Sequence, residues 1–95
     1  MKSISELNHD LAVSIERFNF VLKNLYECAS VKYDFTKRVA EIHVNGWLKQ
    51  SFIFTEIEDA GEWAGRERGF WDYIADLVLM LNREKIEAER SQNQS

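Results

Sequence analysis

The side chains best able to do chemistry in this 95-residue chain are few: one cysteine, Cys28, two histidines, His9 and His43, and a scatter of carboxylates. Nucleophilic catalysis needs a thiol or hydroxyl activated by a neighbouring base. Glu41 and His43 stand two apart in a segment with strand alternation, so both project from one face, where a carboxylate and an imidazole can exchange a proton. A metal site wants three or four ligands, and no further histidine or cysteine is placed to complete one around this pair. Cys28 recurs on an apolar helical stripe and is expected as a small buried core residue, since an unpaired cysteine packs like a small hydrophobe. His9 falls on the polar side of the same helix and is expected in solvent. No glycine-rich phosphate loop joins a strand to a helix. The expectation is therefore a protein that is not an enzyme, with no cofactor and no metal, and Glu41 with His43 is the one enzymatic alternative.

Residues suited to binding are more numerous. Glu56, Glu58, Asp59 and Glu62 form a dense acidic stretch that suits either the first turn of a helix, through its dipole, or a basic partner. Trp47 beside the Asn45-Gly46 turn, Trp63, and the run Phe70, Trp71, Tyr73 offer more aromatic surface than one helix face hides, and aromatic rings near a charged rim are common interface anchors. Lys32, Lys37, Arg38 and Lys49 gather in the predicted sheet region, with Trp47 available to stack on a base, which is the pattern of a nucleic-acid surface. Gly61, Gly65 and Gly69, with Ala60 and Ala64, make a ridge of small residues if helical and a loop if not.

The elements that must position these groups are legible from periodicity. Ser3 and Glu6 have capping-box spacing and open a helix at Ile4. Its stripe runs Ile4, Leu7, Leu11, Ile15, Phe18, Leu22, Leu25 and Ala29, with Val21 and Cys28 on the same side. From Ser30 the period changes to two. Val31, Tyr33 and Phe35 define a first strand, Ala40, Ile42 and Val44 a second, and Trp47 to Thr55 a third. Asn45-Gly46 favours a tight hairpin turn, yet a plain two-residue turn sets Val44 opposite Trp47 and Ile42 opposite Lys49, mixing apolar and polar residues on each face. Slipping by one residue, with a bulge near Gly46 or Trp47, sets Val44 opposite Leu48 and Ala40 opposite Phe52, and gathers Val31, Tyr33, Phe35, Ala40, Ile42, Val44, Leu48, Phe52 and Phe54 on one face. The slipped register is the expected one. Lys32, Asp34, Glu41, His43, Lys49, Ser51 and Ile53 then form the outer face.

Thr55 and Glu58 repeat the capping-box spacing, so a short helix is expected from Glu56, broken between Gly65 and Gly69 by the roughly 1 kcal/mol that each glycine costs inside a helix. A long helix follows from Gly69 to Arg90, burying Phe70, Ile74, Leu77, Val78, Leu81 and Lys85. The fold class is α+β: a three-stranded antiparallel meander covered on one face by two long helices, in the order α-β-β-β-α(short)-α. Residues 1–90 are expected to form a single domain and 91–95 a disordered polar tail.

Composition bounds the function. Sixteen acidic against twelve basic side chains give a formal charge of -4, which opposes general phosphate binding. The charge is uneven, with four basic and two acidic residues in 30–55 and five and ten in 56–95. A single cysteine fits a reducing compartment, and neither a secretory signal nor a membrane-length apolar run is present, so a cytoplasmic protein is expected. The expected function is a small non-catalytic intracellular protein that binds another macromolecule as an inhibitor or adaptor, with a protein partner and a homodimer in view. Accessory proteins of mobile elements include many small acidic domains of this kind. The alternative is a nucleic-acid-binding module using the basic outer sheet face and hairpin loops. No membrane partner is expected.

Overall fold

The computed structural model describes residues 2–93. Five elements follow one another: α1 (Ile4–Leu25), β1 (Ala29–Asp34), β2 (Val39–Val44), β3 (Trp47–Ile53) and α2 (Ala60–Asn93). The sheet is antiparallel with strand order β1-β2-β3. Both helices bury their apolar stripes against one face of it, giving the α+β meander expected from the sequence.

Helix α1 begins where its capping box places it, with the Ser3 hydroxyl and the Glu6 side chain each accepting from the other's backbone N–H. It ends earlier than the apolar stripe implies. Tyr26 is the C-cap, and Cys28 lies in the turn before β1, where its carbonyl accepts from the Asn45 N–H and its side chain is exposed. The expected burial of Cys28 is thus corrected. Ala29 is buried, but as the first residue of β1. No glycine or proline marks this helix end, and a stripe that passes directly into a half-buried strand hides the boundary.

The hairpin register combines the two alternatives. Asn45 and Gly46 have φ of 55° and 82°, the pair of positive values that a tight two-residue turn needs, and Val44 faces Trp47 and His43 faces Leu48. The irregularity comes further along, between Ile42 and His43, which face Gln50 and Leu48 and leave Lys49 as the extra residue. Beyond it Ala40 faces Phe52, as the slipped register requires. The expected pairing of Val44 with Leu48 is therefore wrong, and Leu48 lies on the outer face instead of in the core, 54% exposed. Phe35 is exposed too, because β1 ends at Asp34 and the chain turns through Thr36 and Lys37 to Arg38, whose φ is 54°.

Helix α2 is one unbroken helix of 34 residues, so neither a short helix from Glu56 nor a break between Gly65 and Gly69 exists. Thr55 does not cap it; the Thr55 hydroxyl donates to the Lys37 carbonyl and ties the loop to the β1–β2 turn. The cap is Asp59, whose carboxylate accepts from the Glu62 N–H at 2.9 Å. Three glycines at about 1 kcal/mol each are outweighed by packing, since Trp63 and Phe70 on either side of Gly65 and Gly69 are both completely buried and each large apolar side chain gains about 1.5–3 kcal/mol on burial. Ile74, Leu77 and Leu81 continue that stripe, while Lys85 is exposed and not buried. The helix also continues through residues 91–93, where a disordered tail was expected; residues 94 and 95 lie outside the described residues.

The two helices point the same way. Asn19 of α1 accepts from the Val31 N–H and Asn8 donates to the Phe35 carbonyl, so α1 runs antiparallel to β1. At the same end as the start of β1, Tyr26 bonds Asn82 and the Lys85 ammonium donates to the Leu25 carbonyl. Past Leu81 every described side chain of α2 is exposed, and the molecule measures 56 × 20 × 19 Å. About 18 Å of helix, at 1.5 Å per residue, therefore stands clear of the sheet.

Three substitutions check this account. Trp63→Ala is expected to lower the unfolding free energy by about 3–5 kcal/mol in denaturant titrations. Gly65→Ala is expected to raise it by about 0.5–1 kcal/mol, since nothing lies within 4 Å of the added methyl. Gly61→Ala should gain less, because its methyl would sit 3.1 Å from the capping oxygen of Asp59.

Candidate functional site

The structure separates the expected site residues. Trp63 is completely buried against Phe54 and is removed from the list of contact residues. Trp71 is half-buried, edge-on to Phe18 and to Phe70 at centroid separations of 5.7 and 4.9 Å. Trp47 is 77% exposed at the hairpin tip, as a contact residue requires. In the acidic stretch Asp59 caps α2 and Glu58 lies 3.6 Å from Arg38, which leaves Glu56 and Glu62 as exposed carboxylates without a partner of that kind among the described residues.

The four basic residues do not form one patch. Lys32 is on the outer sheet face directly opposite Glu41, Lys37 sits in the β1–β2 turn with its N–H bonded to the Asp34 carboxylate, and Arg38 pairs with Glu58. Lys49, the bulge residue, turns to the helix side, where it lines a small hollow with Tyr73, Asp76, Leu77 and Met80. The expected place of Lys49 on the outer face is corrected accordingly. Glu41 and His43 do share the outer face, with Lys32 and Ser51 beside Glu41 and Ser30 and Leu48 beside His43. The His43 Nδ1 is buried and makes no hydrogen bond among the described residues. Among those residues no cluster of three or more metal-ligating side chains occurs, and no helix is long and apolar enough to cross a membrane.

What the structure brings together instead is an apolar groove between the two helices, on the side away from the sheet. Phe18, Trp71, Ile74, Ala75, Val78 and Leu79 line it, about 480 Å³ in volume. Phe18, Val21 and Leu25 fall on one side of α1 at three- and four-residue steps, Val21 bordering the hollow around Phe20 and Leu25 one with Tyr26, Leu81 and Lys85. Val21, Leu25 and Leu79 are each more than half exposed. Phe20, 72% exposed, opens from Val21 into a second, broader hollow on the back of α1 with Val13 and Arg17. A small protein ordinarily hides side chains of this type, and clustered exposed ones mark interaction surfaces.

Most of these residues lie beyond what periodicity reveals. Val21 and Leu25 belong to the apolar stripe of α1, but the stripe is wider than the area the sheet and α2 can cover. Val13 and Phe20 give the available signal: both interrupt the polar side of an otherwise amphipathic helix.

The polar group inside the core has a structural role. Asn8, 5% exposed, accepts from the Tyr33 hydroxyl and donates to the Phe35 carbonyl at 3.2 Å, joining α1 to the end of β1 and to the turn that follows it. Burial pushes the Tyr33 phenol up to about 12, against a smaller downward pull from Arg38.

No protein-family model matches the chain, and no characterised protein or solved structure matches it.

The raised Tyr33 ionisation predicts a pH limit. The neutral phenol is favoured in the folded state, so its contribution to stability is fully present below the ordinary tyrosine value of about 10 and is lost as pH rises towards the folded value. Denaturant titrations between pH 9 and pH 12, roughly that span, should show stability falling, with a shallower fall in Tyr33→Phe.

Proposed function

We propose that this is a non-catalytic binding protein that holds a protein partner in the groove between α1 and α2, as an adaptor or inhibitor. The observation that carries this reading is the groove itself, walled by two aromatic rings and four aliphatic side chains, with the exposed Val21 and Leu25 further along the same side of α1. Its partner is an amphipathic helix whose apolar side chains at three- and four-residue spacing enter a channel between two parallel helices. The area left open is apolar at its centre and polar at its margins, as the cores and rims of protein interfaces are. Nucleic acid is less well served, because Lys32, Lys37, Arg38 and Lys49 are divided between the two sides of the sheet and Lys32 is matched by Glu41. A cytoplasmic setting agrees with the exposed Cys28, which stays a free thiol in reducing surroundings.

The double variant Val21→Asp, Leu25→Asp tests this directly, since both side chains are more than half exposed and outside the buried core. Protein captured from the native cell by the wild-type chain should be lost from the variant, with affinity down at least about tenfold, and circular dichroism unchanged. Equal capture by both chains would remove the groove from consideration. Retention of DNA or RNA that disappears on neutralising Lys32 and Lys37 would favour the nucleic-acid alternative instead.

A further inference from the structure

Asparagine is a thermally labile residue type, and the fold treats its asparagines very unequally. The weak point is the side-chain carbonyl carbon, Cγ, which the backbone nitrogen of the following residue can attack to close a succinimide ring. A bulky following side chain crowds that attack, and a hydrogen bond from the attacking N–H holds its proton and its direction.

Asn8, Asn19 and Asn24 lie in α1 and Asn82 in α2, so the N–H after each is tied to a carbonyl one helical turn back. The residues that follow them are His9, Phe20, Leu25 and Arg83, all bulky. Their side-chain amides are engaged as well: Asn8 with the Tyr33 hydroxyl and the Phe35 carbonyl, Asn19 with the Val31 N–H, Asn24 with the Phe20 carbonyl, and Asn82 with the Tyr26 hydroxyl.

Asn45 carries none of these restraints. Glycine follows it, and among the described residues neither the Gly46 N–H nor the Asn45 side chain makes a hydrogen bond. Both residues are exposed to water, and nothing lies within 4 Å of where a Cβ on Gly46 would stand. The Asn45 N–H is held by the Cys28 carbonyl at 2.7 Å, but Trp47 beyond the turn is exposed. No packed side chain therefore has to give way when the tip opens locally and the Gly46 nitrogen swings towards Cγ.

We infer that Asn45 is a self-modification site, at which the folded chain converts a side-chain amide to aspartate and isoaspartate with water as the only co-reactant. The Gly46 nitrogen loses its proton and bonds to the Asn45 Cγ. The bond from Cγ to the carboxamide nitrogen breaks, and that nitrogen takes up a proton and leaves as ammonia. One water then opens the ring. Opening at Cγ gives aspartate, and opening at the backbone carbonyl carbon gives isoaspartate, with the chain now running through Cγ. Nothing is oxidised or reduced. Aspartate tolerates the φ of 55° and keeps the turn with one more negative charge. Isoaspartate adds the Cβ carbon to the backbone, so the two-residue turn no longer closes on the Val44 to Trp47 pair, and Trp47 and Leu48 shift. The groove lies on the helix layer away from the sheet, and this inference does not rest on it.

Incubation of the folded chain in mildly alkaline buffer, then proteolytic mapping by mass spectrometry and labelling with an isoaspartyl methyltransferase, tests the proposal. Conversion at Asn45 should outpace that at Asn8, Asn19, Asn24 and Asn82 by at least about tenfold. In the converted fraction the amide NMR signals of Val44, Trp47 and Leu48 should move, while those of Ile74 and Val78 in the groove stay in place. Asn45→Gly, which accepts the same φ but has no amide to lose, should fold like the wild type and give no isoaspartate in this segment. Survival of Asn45 in the folded chain for as long as the helical asparagines, or conversion only after unfolding in urea, would overturn the proposal.

Discussion

The contact between Trp63 and Phe54, with ring centroids 4.7 Å apart and both side chains fully buried, fixes how the last helix meets the sheet. Phe54 is the first residue after β3, and Trp63 lies in the first turns of α2, so the pair clamps the two ends of the loop that reverses the chain. Ile57, also buried, fills the loop between them and bonds back to the Phe54 carbonyl. The indole N–H finds no acceptor among the described residues, a cost of about 1–3 kcal/mol that burial of so large a ring exceeds. With the base of α2 pinned there, Phe70 reaches Phe52 and Trp71 reaches Phe18, and the helix axis is set along α1. The groove and the outward face of α2 are both consequences of that placement.

Local chemistry made much of the fold legible. The Ser3–Glu6 box and the change of period near Ser30 each have one dominant physical meaning and appear in the structure as read, whereas Asn45-Gly46 forms the tight turn its residue types favour and not the slipped one that was expected. Thr55 and Glu58 show where such signals mislead. Their spacing is that of a capping box, but the same chemistry recurs four residues later at Asp59 and Glu62, and the tertiary pull of Ile57 and Trp63 into the core selects the later start. The glycines mislead for a related reason: helix propensity is a sum of small local costs, and a stripe of completely buried aromatic side chains overrules it.

The candidate site was less legible, because exposure is a property of neighbours and not of sequence. Of the three tryptophans expected at an interface, one is in the core, one walls the groove and one is at a hairpin tip, although all three are the same residue type in charged surroundings. Edge-on stacking absorbs most of the aromatic content, through Phe18 with Trp71, Tyr33 with Phe54, and Phe52 with Phe70 and Tyr73. The surplus that remains apolar and exposed is mainly aliphatic and lies on the helix layer. Charge follows the same rule. The acidic density near Glu58 and Asp59 is partly spent on a helix cap and an ion pair, whereas the less conspicuous charges from Arg68 to Arg90, Lys85 apart, make no ion pair or hydrogen bond among the described residues.

The displaced Lys49 has a consequence for the solubility of the folded chain. Strand β3 is an outer strand of the sheet, and its far edge offers unpaired amides that could template the addition of another strand. A bulge in the middle of that strand bends it and interrupts the even spacing of hydrogen-bonding groups, and the residue it leaves out of the pairing carries a positive charge. A row that two molecules could otherwise share is cut into two short pieces with a lysine at the cut. The irregularity that lets one hairpin satisfy both its turn and its core thereby also works against the addition of a strand at the β3 edge.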